Sequence, residues 1–172
     1  NDSDAYKSGF KNICEIGKER IRRASKKISE KYPESVYDDG FRVLKCDSSN
    51  MKDVYYNPSE TQQSLFDTYA DNIKEDRTPE DLLFQVMLDL GVLLSSKIEE
   101  TTIAGKHVFN VADGFLIACF DNNVTEETVK AVAEKKPYYA VFRDSSMAND
   151  SVATNFDQIF ASISPDTIRK VL

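Results

Sequence analysis

Glycine is scarce in this chain: six in 172 residues, never clustered. That excludes the G-x-G-x-x-G and Walker-type runs whose backbone cradles dinucleotides and triphosphates. Histidine occurs once, at His107, so a Cys-His or Ser-His relay would have to use that ring, and a two-histidine zinc motif is excluded. The three cysteines, Cys14, Cys46 and Cys119, are widely spaced and form no C-x-x-C pair. That rules out an obvious zinc knuckle and argues against a disulfide framework, and a reducing cytoplasm is the expected compartment, with each thiol in an apolar or half-buried setting. No stretch approaches the ~20 apolar residues of a membrane helix. The polar start, Asn1 to Lys7, is unlike a secretory signal. A first residue other than Met leads us to expect a segment of a longer polypeptide.

What is present is ordinary globular material, 41% hydrophobic and 30% charged. Its net charge of −7 is unevenly spread. Residues 1–31 hold 9 Lys/Arg against 5 Asp/Glu, whereas residues 32–172 hold 13 against 24. An acidic body repels nucleic-acid phosphates, so only the N-terminal segment offers an electrostatic handle.

A helix is expected from Lys11 to Lys31, where Ile13, Gly17, Ile21, Ala24 and Ile28 recur at helical spacing, with Ile16 beside them. Tyr32-Pro33 ends it. Phe41 to Cys46 alternates apolar and polar, as a half-buried strand does. Asn57-Pro58-Ser59 should start a second helix with Leu65, Phe66, Tyr69, Ala70 and Ile73 on its buried stripe. Thr78, Pro79, Glu80 and Asp81 form a strong start for a third helix. That helix, reaching Leu94 and apolar almost all round, is expected to be central.

From Lys97 the period shortens to two. Lys97–Ile103, His107–Val111 and Phe115–Phe120, separated by turns at Ala104-Gly105-Lys106 and Asp113-Gly114, read as a meander. The continuously apolar third strand should be covered on both faces. A helix at Thr125–Lys135 and a strand at Tyr138–Arg143 complete a β-α-β unit, which makes the two strands parallel. Helices at Asn149–Ser162 and Pro165–Val171 are expected to close the chain. The fold class is thus α/β (α+β-like): a mixed sheet of four or five strands flanked by helices, preceded by a separate amphipathic helix. We place the division at residues 1–33 and 34–172.

Candidate sites each carry two readings. Asp121 and Asp144 end apolar strands, and Asp150 lies in the loop that follows. They could converge at the carboxyl edge of the sheet, even as the metal site of a hydrolase, or simply cap loops and helices. Lys18, Arg22, Arg23 and Lys26 could contact DNA phosphates or form a solvated face diluted by Glu15 and Glu19. His107 is read as a ring packed on the sheet. Lys136-Pro-Tyr-Tyr139 resembles the tail of the amino-methyltransferase catalytic box, but the leading acid or amide and the first proline are missing, so nothing there would polarise a target amine.

Longer runs carry a wider resemblance. "NICEIGKERIRRA" (Asn12–Ala24) is similar to the last catalytic-domain helix of adenine-specific DNA methyltransferases of type III restriction–modification systems. "FRVLKCDSSNMKDVYYNP" (Phe41–Pro58), "ADNIKEDRTPEDLLFQVMLDLGVLLSSKIEE" (Ala70–Glu100), "FNVADGFLIACFD" (Phe109–Asp121) and "KPYYAVFRDSSMANDSVATNFDQIF" (Lys136–Phe160) resemble the C-terminal domain of the same modification subunits. The resemblance implies a bacterial, cytoplasmic parent that methylates adenine N6 using S-adenosylmethionine. The parent would work as a homodimer, joined by a restriction subunit. The family's Asp-Pro-Pro-Tyr box, target-recognition domain and Phe-x-Gly-x-Gly cofactor loop lie upstream of the matched region. No catalytic, cofactor-binding or metal residue therefore transfers to this chain, and the resemblance implies a non-catalytic assembly role for it.

Overall fold

The computed structural model describes residues 3–52, 72–143, 147 and 149–172, the side chains of Asp150 and Ala153 excepted. The chain divides into two compact units, Asn1–Lys45 and Cys46–Leu172. That break falls twelve residues beyond the one expected after Pro33.

In the first unit a single turn, α1 (Asp4–Lys7), precedes the long helix α2 (Ile13–Lys31). Asn12 caps α2 by accepting the Glu15 N–H at 3.0 Å. No residue of α2 is buried. The segment after it is held to one side of the helix. Tyr37 donates its hydroxyl to the Ser25 carbonyl at 2.9 Å, and Ser25 donates to Asp39 at 2.8 Å. The expected strand Phe41–Cys46 does not form. Alternation suits a strand only when a neighbour takes its backbone groups and covers one face, and Val43 and Leu44 are exposed here.

The second unit is built on five strands in the order β1 (Ile98–Ile103), β2 (Lys106–Val111), β3 (Leu116–Cys119), β4 (Tyr139–Phe142), β5 (Ile168–Val171). β1, β2 and β3 are antiparallel neighbours; β3, β4 and β5 run parallel. The β1–β2 turn is two residues long, Ala104 and Gly105, both at positive φ (47° and 75°), which is the signature of a type I′ hairpin. The helices α4 (Glu126–Glu134) and α5 (Asp150–Ile163) make the two parallel crossovers. They pack with Val108, Ile117, Cys119, Ala140 and Phe142 on one face of the sheet. The helix α3 (Pro79–Asp89) covers Phe109, Val111, Leu116, Ala118 and Val141 on the other. The mixed, helix-flanked sheet expected from the sequence is therefore present, with β3 buried on both faces as its composition requires.

Two further elements depart from expectation. Helix α3 stops at Asp89 instead of running to Leu94. Gly91, at φ 69°, turns the chain so that its N–H reaches the Leu88 carbonyl and Val92 N–H reaches Met87, a Schellman motif. Leu88 and Leu93 face solvent, so α3 is one-sided and not central. The closing segment Pro165–Val171 is not a helix: it delivers β5. Thr167 donates its hydroxyl to the Pro137 carbonyl at 2.6 Å, which makes Ser164 the donor in the buried 2.6 Å Ser164–Thr167 contact. That latch sets the following residues beside β4, where Ile168 N–H bonds the Tyr138 carbonyl. Of the helix expected after Asn57, Leu65, Phe66, Tyr69 and Ala70 lie outside the described residues. Ile73 is buried, and forms an antiparallel bridge with Met51.

Phe142 is fully buried, with its ring centroid 5.3 Å from that of Phe156. Phe142→Ala should lower unfolding free energy by about 3–5 kcal/mol in a urea titration, whereas Leu93→Ala should change it by less than about 0.5 kcal/mol. Ala104→Asn should raise the melting temperature, because asparagine tolerates the left-handed position that alanine holds under strain.

Candidate functional site

The carboxyl ends of parallel strands are where α/β sheets place ligands. Here the first residues past β3 and β4 are Phe120 and Arg143, and both line a cavity of about 190 Å³. Pro79 and Leu82, from the first turn of α3, line it too. Ile73, Lys74, Glu75 and Arg77, from the segment entering α3, complete the wall. Among the described residues, three cations thus share one lining with a single acid. The surrounding unit, residues 46–172, holds only 11 Lys/Arg against 21 Asp/Glu, so this concentration runs against its background.

The loop carrying Lys74 and Arg77 is fixed by short-range bonds. Lys74 N–H donates to the Asn50 carbonyl at 2.9 Å, and Lys52 N–H donates to Asn72 at 2.8 Å. Asn50 in turn ties this pair to α3, donating its side-chain amide to the Asp81 carbonyl at 3.0 Å and to Gln85 at 2.8 Å. Ser48 Oγ accepts from Lys74 Nζ at 3.0 Å and from Arg77 Nη2 at 2.9 Å, holding the two cations side by side. Arg77 is only 11% exposed, although its carboxylate neighbours, Asp47 at 3.8 Å and Asp76 at 3.4 Å, are 62% and 73% exposed. Its Nε is buried and has no hydrogen-bond partner among the described residues.

Asp121 follows Phe120, but its carboxylate accepts the His107 N–H at 2.7 Å and so closes the edge of β2. Asp144 lies outside the described residues. Asp150 is the first residue of α5, behind the Asn149 cap. Of the three carboxylates expected at this edge, Asp121 is the one with a described side chain, and it serves the capping reading. No group of three His, Cys, Asp or Glu among the described residues is arranged to hold a metal ion. His107 sits edge-on to Phe109, centroids 4.8 Å apart, with its Nε2 3.2 Å from Glu100. Tyr138 of the Lys136–Tyr139 run stacks on Phe115, centroids 5.0 Å apart.

On α2, Lys18 bonds Glu15 at 2.8 Å, Arg23 bonds Glu19 at 2.7 Å, and Lys26 lies 3.9 Å from Glu30. The Lys18 contact holds the Glu15 carboxyl below its usual range. Arg22 rests over the Phe41 ring at 5.8 Å. Each of the four cations expected to meet DNA has a partner within the same unit, and the exposed ion pairs are weak enough to exchange.

No family model and no curated protein matches the chain.

Lys74, Arg77 and Arg143 escaped the sequence reading. Arg143 was within reach of it, as the residue ending an apolar strand beside Asp144. Lys74 and Arg77 were not, because the Met51–Ile73 pairing that brings them there is one bridge without periodicity.

Exposure divides the cysteines differently from expectation: Cys14 and Cys46 are exposed, and Cys119 is buried in β3. Neither exposed thiol has the apolar cover its neighbours in sequence suggested. Burial pushes the Cys119 thiol up to about 11. An aromatic disulfide reagent at pH 8 should titrate two thiols in the native chain and the third only after unfolding, since the thiolate is the reactive form.

Proposed function

We propose that this chain is a non-catalytic C-terminal part of a type III adenine-N6 DNA methyltransferase, serving assembly with a second modification subunit or with the restriction subunit. The observation that carries the reading is the state of α2. It is a nineteen-residue amphipathic helix with no buried residue, and Ile13, Ile16, Ile21 and Ile28 are all exposed. An apolar stripe of that extent is a surface for another chain or domain to cover.

The identity of the parent rests on the long runs from Phe41 to Phe160 that resemble modification subunits. The chain carries neither the Asp-Pro-Pro-Tyr box nor the Phe-x-Gly-x-Gly loop, so methyl transfer and the S-adenosylmethionine site belong to the parent in this reading. DNA contact is likewise the parent's in this reading, because the acidic second unit repels phosphate and Lys18, Arg23 and Lys26 of α2 pair with glutamates. The compartment proposed is the cytoplasm. No helix among the described residues is long and apolar enough to cross a membrane.

Sedimentation velocity at micromolar concentration should give a dimer that Ile21→Asp returns to monomer, and calorimetry with S-adenosylmethionine should give no binding heat. A chain that takes up the methyl donor, or methylates adenine by itself, defeats the reading. So does one that remains monomeric and also fails to co-sediment with a type III restriction subunit.

A further inference from the structure

We infer that the cavity at the carboxyl ends of β3 and β4 binds a small organic oxyanion, a carboxylate or phosphoryl group on a short apolar body, gripped by Lys74, Arg77 and Arg143. The inference does not depend on the assembly reading and goes beyond it.

Charge is the first argument. Among the described residues, three of the eleven basic residues in an acidic unit line this one cavity, where Glu75 is the one lining carboxylate. Gathering like charges raises the energy of the empty site, and a bound anion relieves that repulsion.

Arg77 supplies the second. A guanidinium taken largely out of water needs acceptors for its fixed fork of donors. Ser48 and Asp76 meet the terminal nitrogens among the described residues, at 2.9 and 3.4 Å. An oxyanion provides several acceptor positions at once and matches the arginine fork. The surface carboxylates of Asp47 and Asp76 are largely hydrated, so they leave the site able to attract a ligand.

Helix α3 does not compete for the anion. Its first turn is already closed by Thr78 and Asp81, which form a reciprocal capping box. Recognition therefore falls to the side-chain cations.

Size and polarity narrow the class. At about 190 Å³ the cavity lies below the ~300–1,000 Å³ of pockets that take drug-sized ligands, so what it encloses is a short group. Pro79, Leu82 and Phe120 form an apolar wall opposite the charges. A bare inorganic ion would leave that wall wet, while a short hydrocarbon or ring would cover it.

The test is an NMR titration of the full chain in 0.15 M salt (about physiological ionic strength) with benzoate, phenyl phosphate, inorganic phosphate and benzyl alcohol. Saturable shifts of the Phe120 and Arg143 amides are expected with benzoate or phenyl phosphate, and the tighter of the two assigns the head group. Benzyl alcohol should give none. Lys74→Gln and Arg143→Gln, each with an unchanged melting temperature, should weaken binding by about tenfold, the effect of losing one charge-assisted hydrogen bond. Lys74 is partly exposed and hydrogen-bonded to one serine, so Lys74→Gln keeps the test valid should Arg143→Gln fail to fold. Absence of saturation by either organic anion up to about 10 mM overturns the inference. So does undiminished affinity in Lys74→Gln, or inorganic phosphate binding as tightly as its phenyl ester.

Discussion

The second unit depends on four residues, Leu116 to Cys119, being enclosed on every side. As β3 they pair antiparallel with β2 and parallel with β4, so both backbone edges find partners inside the sheet. Their side chains divide by parity. Leu116 and Ala118 face the α3 layer, and Ile117 and Cys119 face α4 and α5. Burying Leu116 and Ile117 contributes about 1.5–3 kcal/mol each. A one-residue slip would exchange the two sets and place each against the wrong layer, so register and layer order are specified together. The same register aligns Cys119 with Phe142, which brings Phe120 and Arg143 out side by side at the cavity.

Period two and turn chemistry made most of this sheet readable. The meander, the β-α-β crossover and the double burial of β3 followed from alternation, from glycine at turns and from an unbroken apolar run. What failed was local chemistry with two uses. Ser164-Pro165-Asp166 has the composition of a helix start, but the Ser164 and Thr167 hydroxyls are spent on a buried latch to Pro137. Phe41 to Cys46 alternates as a strand would, and alternation alone supplies no partner. Gly91 was visible in the sequence as a stop, and the leucines beyond it masked that signal. In each case a tertiary contact, or its lack, outweighed a local preference.

The site was legible in position and not in content. Strand ends followed by polar residues marked the carboxyl edge, and attention fell on Asp121, Asp144 and Asp150 because carboxylates suggest chemistry. Asp121 instead closes the hairpin edge through the His107 N–H. The residues that give the edge its charge come partly from Lys74 and Arg77, some forty residues upstream of Phe120, in a loop positioned by Ser48 and Asn50. Such a constellation has no spacing to recognise. It exists only once the sheet and α3 have formed.

The composition of the cavity then limits what it can do. Guanidinium groups stay charged at all ordinary pH and neither donate nor accept protons usefully in a reaction, so two arginines and a lysine are suited to holding an anion. Among the described residues its lining includes no serine, cysteine or histidine, and its remaining walls are apolar apart from Glu75. The arrangement sets side-chain cations against an apolar wall. It also separates the two charge patterns of the chain by mechanism. On α2, Lys18, Arg23 and Lys26 form exchangeable surface pairs with glutamates. Arg77 is withdrawn from water, where each interaction with a ligand is less screened. Net charge therefore says little about where an anion binds. An acidic unit can hold one where a withdrawn cation such as Arg77 stands beside others and its carboxylate partners stay in solvent.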